Sequence, residues 1–375
     1  MLGKVVFWGS LGALAWTHAG YPLAAAALAR VRPRPVRKAK FEPDVTVVVA
    51  AHNEEDVIGQ RVENLLAQRY PPDRLEVVVA SDGSTDATDD VVAALAEQDP
   101  RVRLLQCPRA GKVPAQNRAV RATSGAIVAF SDANARWAPD ALALLVRNFA
   151  DPDVAYVCGG HRYDGGDGTN RESTYWRYES WVRSSESALG SITGGIGPIY
   201  AVRRSDYVEN EPEIGHDLGF PYQMAQRGRR AVYEPAAIAT ERPSRDLEDE
   251  YRRKVRMLAQ CWLHVLSGRI VRGGGPLYLA EIVSHRLLRY GSGILHTALL
   301  TSTIVLARDR GIYRIALGGQ GAWLLLAAAG RLRLRIPGAG LAYYYFLVTL
   351  ATLSGLVRYL RSGSPVVWER VEGTR

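Results

Sequence analysis

An apolar run that stops on an acid and an amide, Ile127-Val128-Ala129-Phe130-Ser131-Asp132-Ala133-Asn134, constrains this chain more than any other stretch. A short apolar run of this kind predicts a buried strand with metal ligands at its carboxyl end. Two earlier segments share the construction. Val45-Thr46-Val47-Val48-Val49 runs into Ala50-Ala51-His52-Asn53-Glu54, and Glu76-Val77-Val78-Val79-Ala80 runs into Ser81-Asp82-Gly83-Ser84-Thr85-Asp86. Ligands of open α/β sheets bind beyond the carboxyl ends of the strands, so three strand ends bring oxygen-bearing side chains to one edge. Hard oxygen donors suit Mg²⁺ or Mn²⁺ bridging a diphosphate, not zinc or iron.

From Val45 the pattern alternates strand and helix, which predicts a mainly parallel sheet. Asp56–Gln68 is amphipathic and stops at Tyr70-Pro71-Pro72, and Asp86–Gln98 repeats the arrangement. A short strand over Val102–Leu105 leads to Arg109-Ala110-Gly111-Lys112, where Gly111 lets backbone approach a ligand and Lys112 is aimed at negative charge. Further strands are expected over Val154–Gly160 and Arg229–Ile238. Ser-Asp-Gly-Ser-Thr-Asp also describes a turn and a helix cap, so Asp86 is taken as a cap and Asp82 as functional. Tyr163–Thr174, rich in Gly and Asp, is expected to be an exposed loop. Trp176, Tyr178 and Trp181 are assigned to packing rather than to a sugar platform.

Hydropathy is uneven along the 375 residues. Val5–Ala29 lacks any acid, Lys or Arg and is long enough to span a bilayer. Arg30, Arg32, Arg34, Arg37, Lys38 and Lys40 follow at once, which places its carboxyl side in the cytoplasm. A cleaved signal peptide would carry the opposite charge arrangement. Later apolar runs cover about Leu287–Ala307, Ile312–Ala329 and Gly338–Leu360, and three crossings are expected. The net charge of +9 sits beside these runs, so anionic lipid accounts for it rather than nucleic acid. Cys107, Cys158 and Cys261 are too widely spaced for a disulfide framework or a structural zinc site.

Ala-His-Asn-Glu, Ser-Asp-Gly-Ser-Thr-Asp, Gly111-Lys112 with Asn117, and Ser-Asp-Ala-Asn, in that order, resemble the family-two inverting glycosyltransferases of the GT-A fold, membrane-bound polysaccharide synthases among them. The resemblance runs from about Val45 to Trp262. It implies a Rossmann-like α/β domain on the cytoplasmic side of flanking transmembrane helices. The implied division is 1–40 for the first helix and basic connector, 41–246 for the GT-A domain, 247–285 for interfacial helices, 286–362 for transmembrane helices and 363–375 for a tail. It further implies that Ala51, Asn53, Glu54, Asp82, Lys112 and Asp132 bind a nucleotide-diphosphate sugar, uridine being the family's commonest base, and that Asp132 and Asn134 hold Mg²⁺ or Mn²⁺. Asn134 stands where the family often has a second Asp. Gly197, within Thr193–Arg204, is assigned with His216, Arg253 and Arg256 to the acceptor and diphosphate. Asp217 occupies the position of the catalytic base, with His216 in place of the preceding acid. Arg253-Lys254-Val255-Arg256-Met257 stands where processive members carry QxxRW.

The expected activity is transfer of the sugar to a growing glycan or lipid-linked acceptor for an exported polysaccharide. Transfer to a polyprenyl phosphate is the nearest alternative. A non-catalytic nucleotide-sugar-binding synthase subunit is the alternative from another class.

Overall fold

The computed structural model describes residues 1–163, 171–242, 247–308 and 311–364. One sheet contains β1 (Val45–Ala51), β2 (Leu75–Asp82), β3 (Val102–Cys107), β4 (Ile127–Asp132), β5 (Arg136–Trp137), β6 (Val154–Tyr163), β7 (Tyr200–Arg203) and β8 (Arg230–Glu241), in the order β3-β2-β1-β4-β7-β6-β8-β5. The first four strands in that order are parallel. Their register sets Ala50 beside Asp132 and Ala51 beside Ser81, so the three oxygen-bearing strand ends do share one edge.

Beyond β4 the sheet is mixed: β7 is antiparallel to both β4 and β6, β8 is parallel to β6, and β5 is antiparallel to β8. The expectation of a mainly parallel sheet therefore holds for one half only. Cys158 pairs with Tyr200, so the chain re-enters the sheet at the end it left and β7 must run against β6.

Every position of β1 is buried. Helices α3 (Ile58–Leu66), α4 (Thr88–Gln98), α5 (Lys112–Arg121), α6 (Ala141–Val146), α7 (Arg171–Leu189) and α8 (His216–Gln226) connect the strands, after α1 (Leu2–Ala15) and α2 (Tyr21–Val31) at the amino end. In α3 the buried Ile58, Val62 and Leu65 recur at helical spacing, which lays one stripe on the sheet. The predicted loop over Tyr163–Thr174 gives way to α7 from Arg171, and residues 164–170 lie outside the described residues. All three cysteines are buried thiols.

Between Gly159 and Gly160 the pairing with β8 skips from Glu234 to Ile238, a bulge that admits the Glu234-Pro235 turn. A methyl group on Gly159 would overlap the Ala237 carbonyl oxygen and press on Ile199. Gly159→Ala is expected to lower stability by about 1–3 kcal/mol, measurable as a lower denaturation midpoint in detergent.

α1 and α2 are joined by a π-helical turn, Trp16–Gly20, into one helical run from Leu2 to Val31. The carboxyl-terminal part contains α9 (Leu247–Leu266), α10 (Gly275–Glu281), a second π-helical turn at Ile282–Leu287, α11 (Leu288–Tyr290), α12 (Ser292–Leu306), α13 (Gly311–Arg331) and α14 (Ala339–Ser362). α13 and α14 are long and apolar enough to cross a membrane, and α12 is a shorter apolar helix. Arg331, the last residue of α13, and Arg333 and Arg335 in the turn before α14 alternate with exposed Leu332, Leu334 and Ile336. Trp368 lies outside the described residues.

Candidate active site

The site forms where β1, β2 and β4 end. Asp82, the last residue of β2, is fully buried and accepts the N–H groups of Ala110 (2.7 Å) and Gly111 (2.9 Å) and the Arg109 guanidinium (2.5 Å). It thereby anchors the turn into α5. Gly111 in that turn has φ 104°, a conformation that side-chain-bearing residues rarely adopt. Asp82 was expected to meet a nucleoside; the structure gives its carboxylate to the chain's own donors and leaves the half-exposed Arg109 beside it. Asn53, at φ 55°, accepts the Thr85 N–H (2.8 Å), and the N–H of buried Glu54 donates to Thr88 Oγ1 (2.7 Å). These bonds fasten the end of β1, with buried Ala51, to the loop after β2. Asp86 accepts the N–H of Thr88 at the start of α4 (3.0 Å), in agreement with its assignment as a cap.

Lys112 Nζ pairs with Asp132 Oδ1, and both side chains are half-buried. Burial alone would lower the Lys112 pKa; the charges of Asp132, Asp217 and Glu241 prevail and raise it. Gly197 comes close to this pair, for a methyl group there would lie 3.4 Å from Asp132 Oδ2 and 3.9 Å from Lys112 Nζ. Asn134 follows in the turn after β4.

Asp217 lies in the first turn of α8, half-buried. Burial raises its carboxyl above the ordinary range, opposed by Lys112 and reinforced by Asp132. Its backbone carbonyl accepts the N–H of Gly195 (2.7 Å), which ties the glycine segment to the start of α8. A methyl group on Gly215 would come within 2.8 Å of Asp217 Oδ1 and 3.9 Å of Gln260 Oε1 on α9, so the carboxylate faces that helix.

His216 is corrected from acceptor contact to packing. Its ring is 3% exposed among Phe130, Tyr200, Tyr207 and Phe220, with Nδ1 bonded to the Tyr200 hydroxyl (3.0 Å). Burial lowers its pKa to about 3, so it is neutral. On α9, Arg253 pairs with Glu250 (2.8 Å) and donates to the Tyr163 hydroxyl (2.8 Å), while Arg256 is half-buried. Met257 is exposed, and buried Trp262 donates to the Thr352 carbonyl of α14 (2.9 Å).

Two positions carry more than their sequence pattern indicates. Arg61, on the core side of α3, is 2% exposed, stacks 4.9 Å from the Trp137 ring and feels the charges of Asp132 and Glu241. Glu241 at the end of β8 also acts on Lys112 and Arg253. No local signal marks either one, because their partners come from other strands.

The donor set fits a hard divalent cation. Among the described residues no three His, Cys, Asp or Glu side chains gather to enclose an ion. A site with one or two protein oxygens, completed by phosphate oxygens, is the manner in which Mg²⁺ is held and is foreign to structural zinc.

Residues 46–210 match the glycosyl transferase family 2 description. A β-monoglucosyldiacylglycerol synthase of Nostoc sp. is 30% identical over 237 residues, 59% of this chain and 49% of the relative. A poly-β-1,6-N-acetyl-D-glucosamine synthase of Staphylococcus aureus is 25% identical over 202 residues, covering 52% and 48%. The chain thus spans about half the length of these curated relatives. A mannosyltransferase from Pyrobaculum calidifontis, solved with GDP-Man and Mn²⁺, superposes with a TM-score of 0.74 over 96% of this chain and 99% of that one. At 24% identity this is a likeness of fold. Residues 46–210 are accordingly similar to glycosyl transferase family 2 domains, and the chain has a GT-A-like mixed α/β fold.

Proposed function

We propose that this chain is a membrane-bound inverting glycosyltransferase, which moves a sugar from a nucleotide-diphosphate sugar to a growing glycan or lipid-linked acceptor on the cytoplasmic side. The observation that carries this reading is the convergence of Lys112, Asp132, Gly197 and Asp217 at one sheet edge, with both Asp132 and Asp217 acting on Lys112. A cation and an anion stand beside the bare backbone of Gly197, and the charge of Asp217, whose pKa is raised by burial, acts on the cation.

Asp217 in its ionised form takes the proton of the acceptor hydroxyl as that oxygen attacks the anomeric carbon from the face opposite the leaving nucleotide. Lys112 lies against the departing diphosphate, and Gly197 leaves room for the sugar ring. Asp132, with Asn134, would hold the divalent cation, which when bound neutralises diphosphate charge. The names of the relatives, one a glycolipid synthase and one a polysaccharide synthase, support an acceptor of either kind.

The membrane reading rests on α13 and α14, and on exposed Trp8, Leu11, Ile304, Ile315, Leu325 and Leu350 across the outer helices. We infer the division into 1–40, 41–246, 247–285, 286–362 and 363–375 on the same grounds. α9 and α14 pack together beside Leu218, the neighbour of Asp217, so the acceptor side of the site adjoins the apolar helices. That placement favours an acceptor carried by a lipid.

The test is to incubate purified protein in detergent with a panel of UDP- and GDP-sugars and a membrane lipid extract, then weigh the products. A product heavier by one or more sugar residues is expected. Release of nucleotide without any glycosylated product in any donor and extract combination would overturn the transferase reading.

A further inference from the structure

Behind the glycine segment lies a carboxylate that takes four bonds from three parts of the chain. Glu186 of α7, fully buried, accepts the Tyr21 hydroxyl of α2 (2.8 Å), the Thr193 N–H (3.0 Å), the Thr193 hydroxyl (3.0 Å) and the His285 ring (2.6 Å). Two flanking arginines, which only donate, orient two of these bonds. Arg286 Nε donates to Thr193 Oγ1 (2.8 Å), so the Thr193 proton points to Glu186. Arg289 donates to His285 Nε2 (3.2 Å), so the His285 proton is on Nδ1 and also points to Glu186.

What this carboxylate holds is the beginning of the segment Thr193–Gly197. Two residues past Thr193, the Gly195 N–H binds the Asp217 carbonyl (2.7 Å); four past it, Gly197 approaches Asp132 and Lys112. Arg183 fastens Gly194 between them through its carbonyl (3.1 Å). On the far side, Tyr21 and His285 belong to helical runs whose two π turns meet: Trp16 Nε1 donates to Ser284 Oγ (2.9 Å) and Thr17 Oγ1 to the Ser284 carbonyl (2.6 Å).

We propose that Glu186 is a positioning residue for sugar transfer: through Thr193 it sets the glycine segment that holds Asp217, and through Tyr21 and His285 it joins that segment to the apolar helices. The inference rests on the reading of Asp217 as the base. The displacement of a reacting group by about 1 Å costs up to roughly 10²-fold in rate, so the seating of this segment is felt in turnover before it is felt in donor binding.

Thr193→Val keeps the shape and removes the hydroxyl that Glu186 and Arg286 share, whereas Thr193→Ser keeps the hydroxyl. Thr193→Val is expected to bind the nucleotide sugar with unchanged affinity, to show an unchanged donor KM, and to lose about tenfold in kcat. Thr193→Ser restores kcat. Tyr21→Phe, which removes one donor at a distance from the pocket, lowers kcat in the same sense, and its effect is not additive with that of Thr193→Val. The proposal is overturned if Thr193→Val turns over at the unmodified rate, if Thr193→Ser is as impaired as Thr193→Val, or if donor binding and kcat fall together. Should Thr193→Val fail to fold, an unchanged kcat in Tyr21→Phe overturns it alone. Failure of the transferase reading shows differently, as absence of transfer by the unmodified protein.

Discussion

Asp217→Asn is expected to fold, remain membrane-bound and bind the nucleotide sugar, yet to transfer the sugar roughly 10²–10⁴-fold more slowly. The competing explanation for an acid in the first turn of a helix is stabilisation of free backbone N–H groups. Asn fills that role about as well as Asp but takes no proton. Burial raises the pKa of the Asp217 carboxyl, and the charge of Lys112 opposes that rise. A base works ionised, so that raised value moves the acid limb of kcat/KM to higher pH than an ordinary carboxylate would give. The limb vanishes in Asp217→Asn. Lys112 opposes the shift, so Lys112→Met moves the limb higher still. Transfer by Asp217→Asn at the unmodified rate would reduce Asp217 to a helix-terminal group and shift the reading to an acceptor that is already anionic, such as a polyprenyl phosphate.

The second large effect is at Asp132. Its removal deprives Lys112 of its ion-pair partner and, on the proposed reading, would leave the diphosphate without a cation-holding oxygen. Asp132→Ala is expected to lose roughly 10²–10³-fold in turnover, the range for deletion of a preorganised charge-stabilising group. Stability changes little, because a half-exposed ion pair contributes on the order of 0–1 kcal/mol. In the unmodified enzyme, excess chelator should stop transfer, and Mg²⁺ or Mn²⁺ should restore it. Full turnover in chelator would remove the metal from the mechanism. Asn134→Asp should then be tolerated or bind the cation more tightly.

What was legible from sequence follows from the range of the forces involved. β1, β2 and β4 are almost wholly buried, so apart from Thr46 and Glu76 near their starts their runs are apolar, and the polar residue that ends each run marks the sheet edge. Asp132 is legible in this way, whereas Lys112 was singled out by the Gly-Lys pair with the resemblance and Gly197 by the resemblance; the structure brings the three together. His216 was misplaced, because nothing next to it in the chain announces the rings of Phe130 and Tyr200 that enclose it. The carboxylate at Glu186 was passed over for the same reason: its donors lie 165, 7 and 99 residues away. The direction of β7 was equally hidden, since it depends on where a long excursion re-enters the sheet.

The π turn at Trp16–Gly20 sets the phase of everything before it. Phe7, Ser10 and Leu14 face inward upstream, and Thr17, Tyr21 and Ala25 continue that face downstream. An α-helix advances about 100° per residue, so the loss of a single residue within Trp16–Gly20 would swing the first fifteen residues about a quarter of a turn. Phe7 and Leu14 would leave Leu299, Leu306 and Tyr313, while Tyr21 kept its grip on Glu186. The amino-terminal helix thus has two independent addresses, one read by α12 and α13 and the other by the catalytic domain, and the widened turn is the gearing that lets one rod satisfy both.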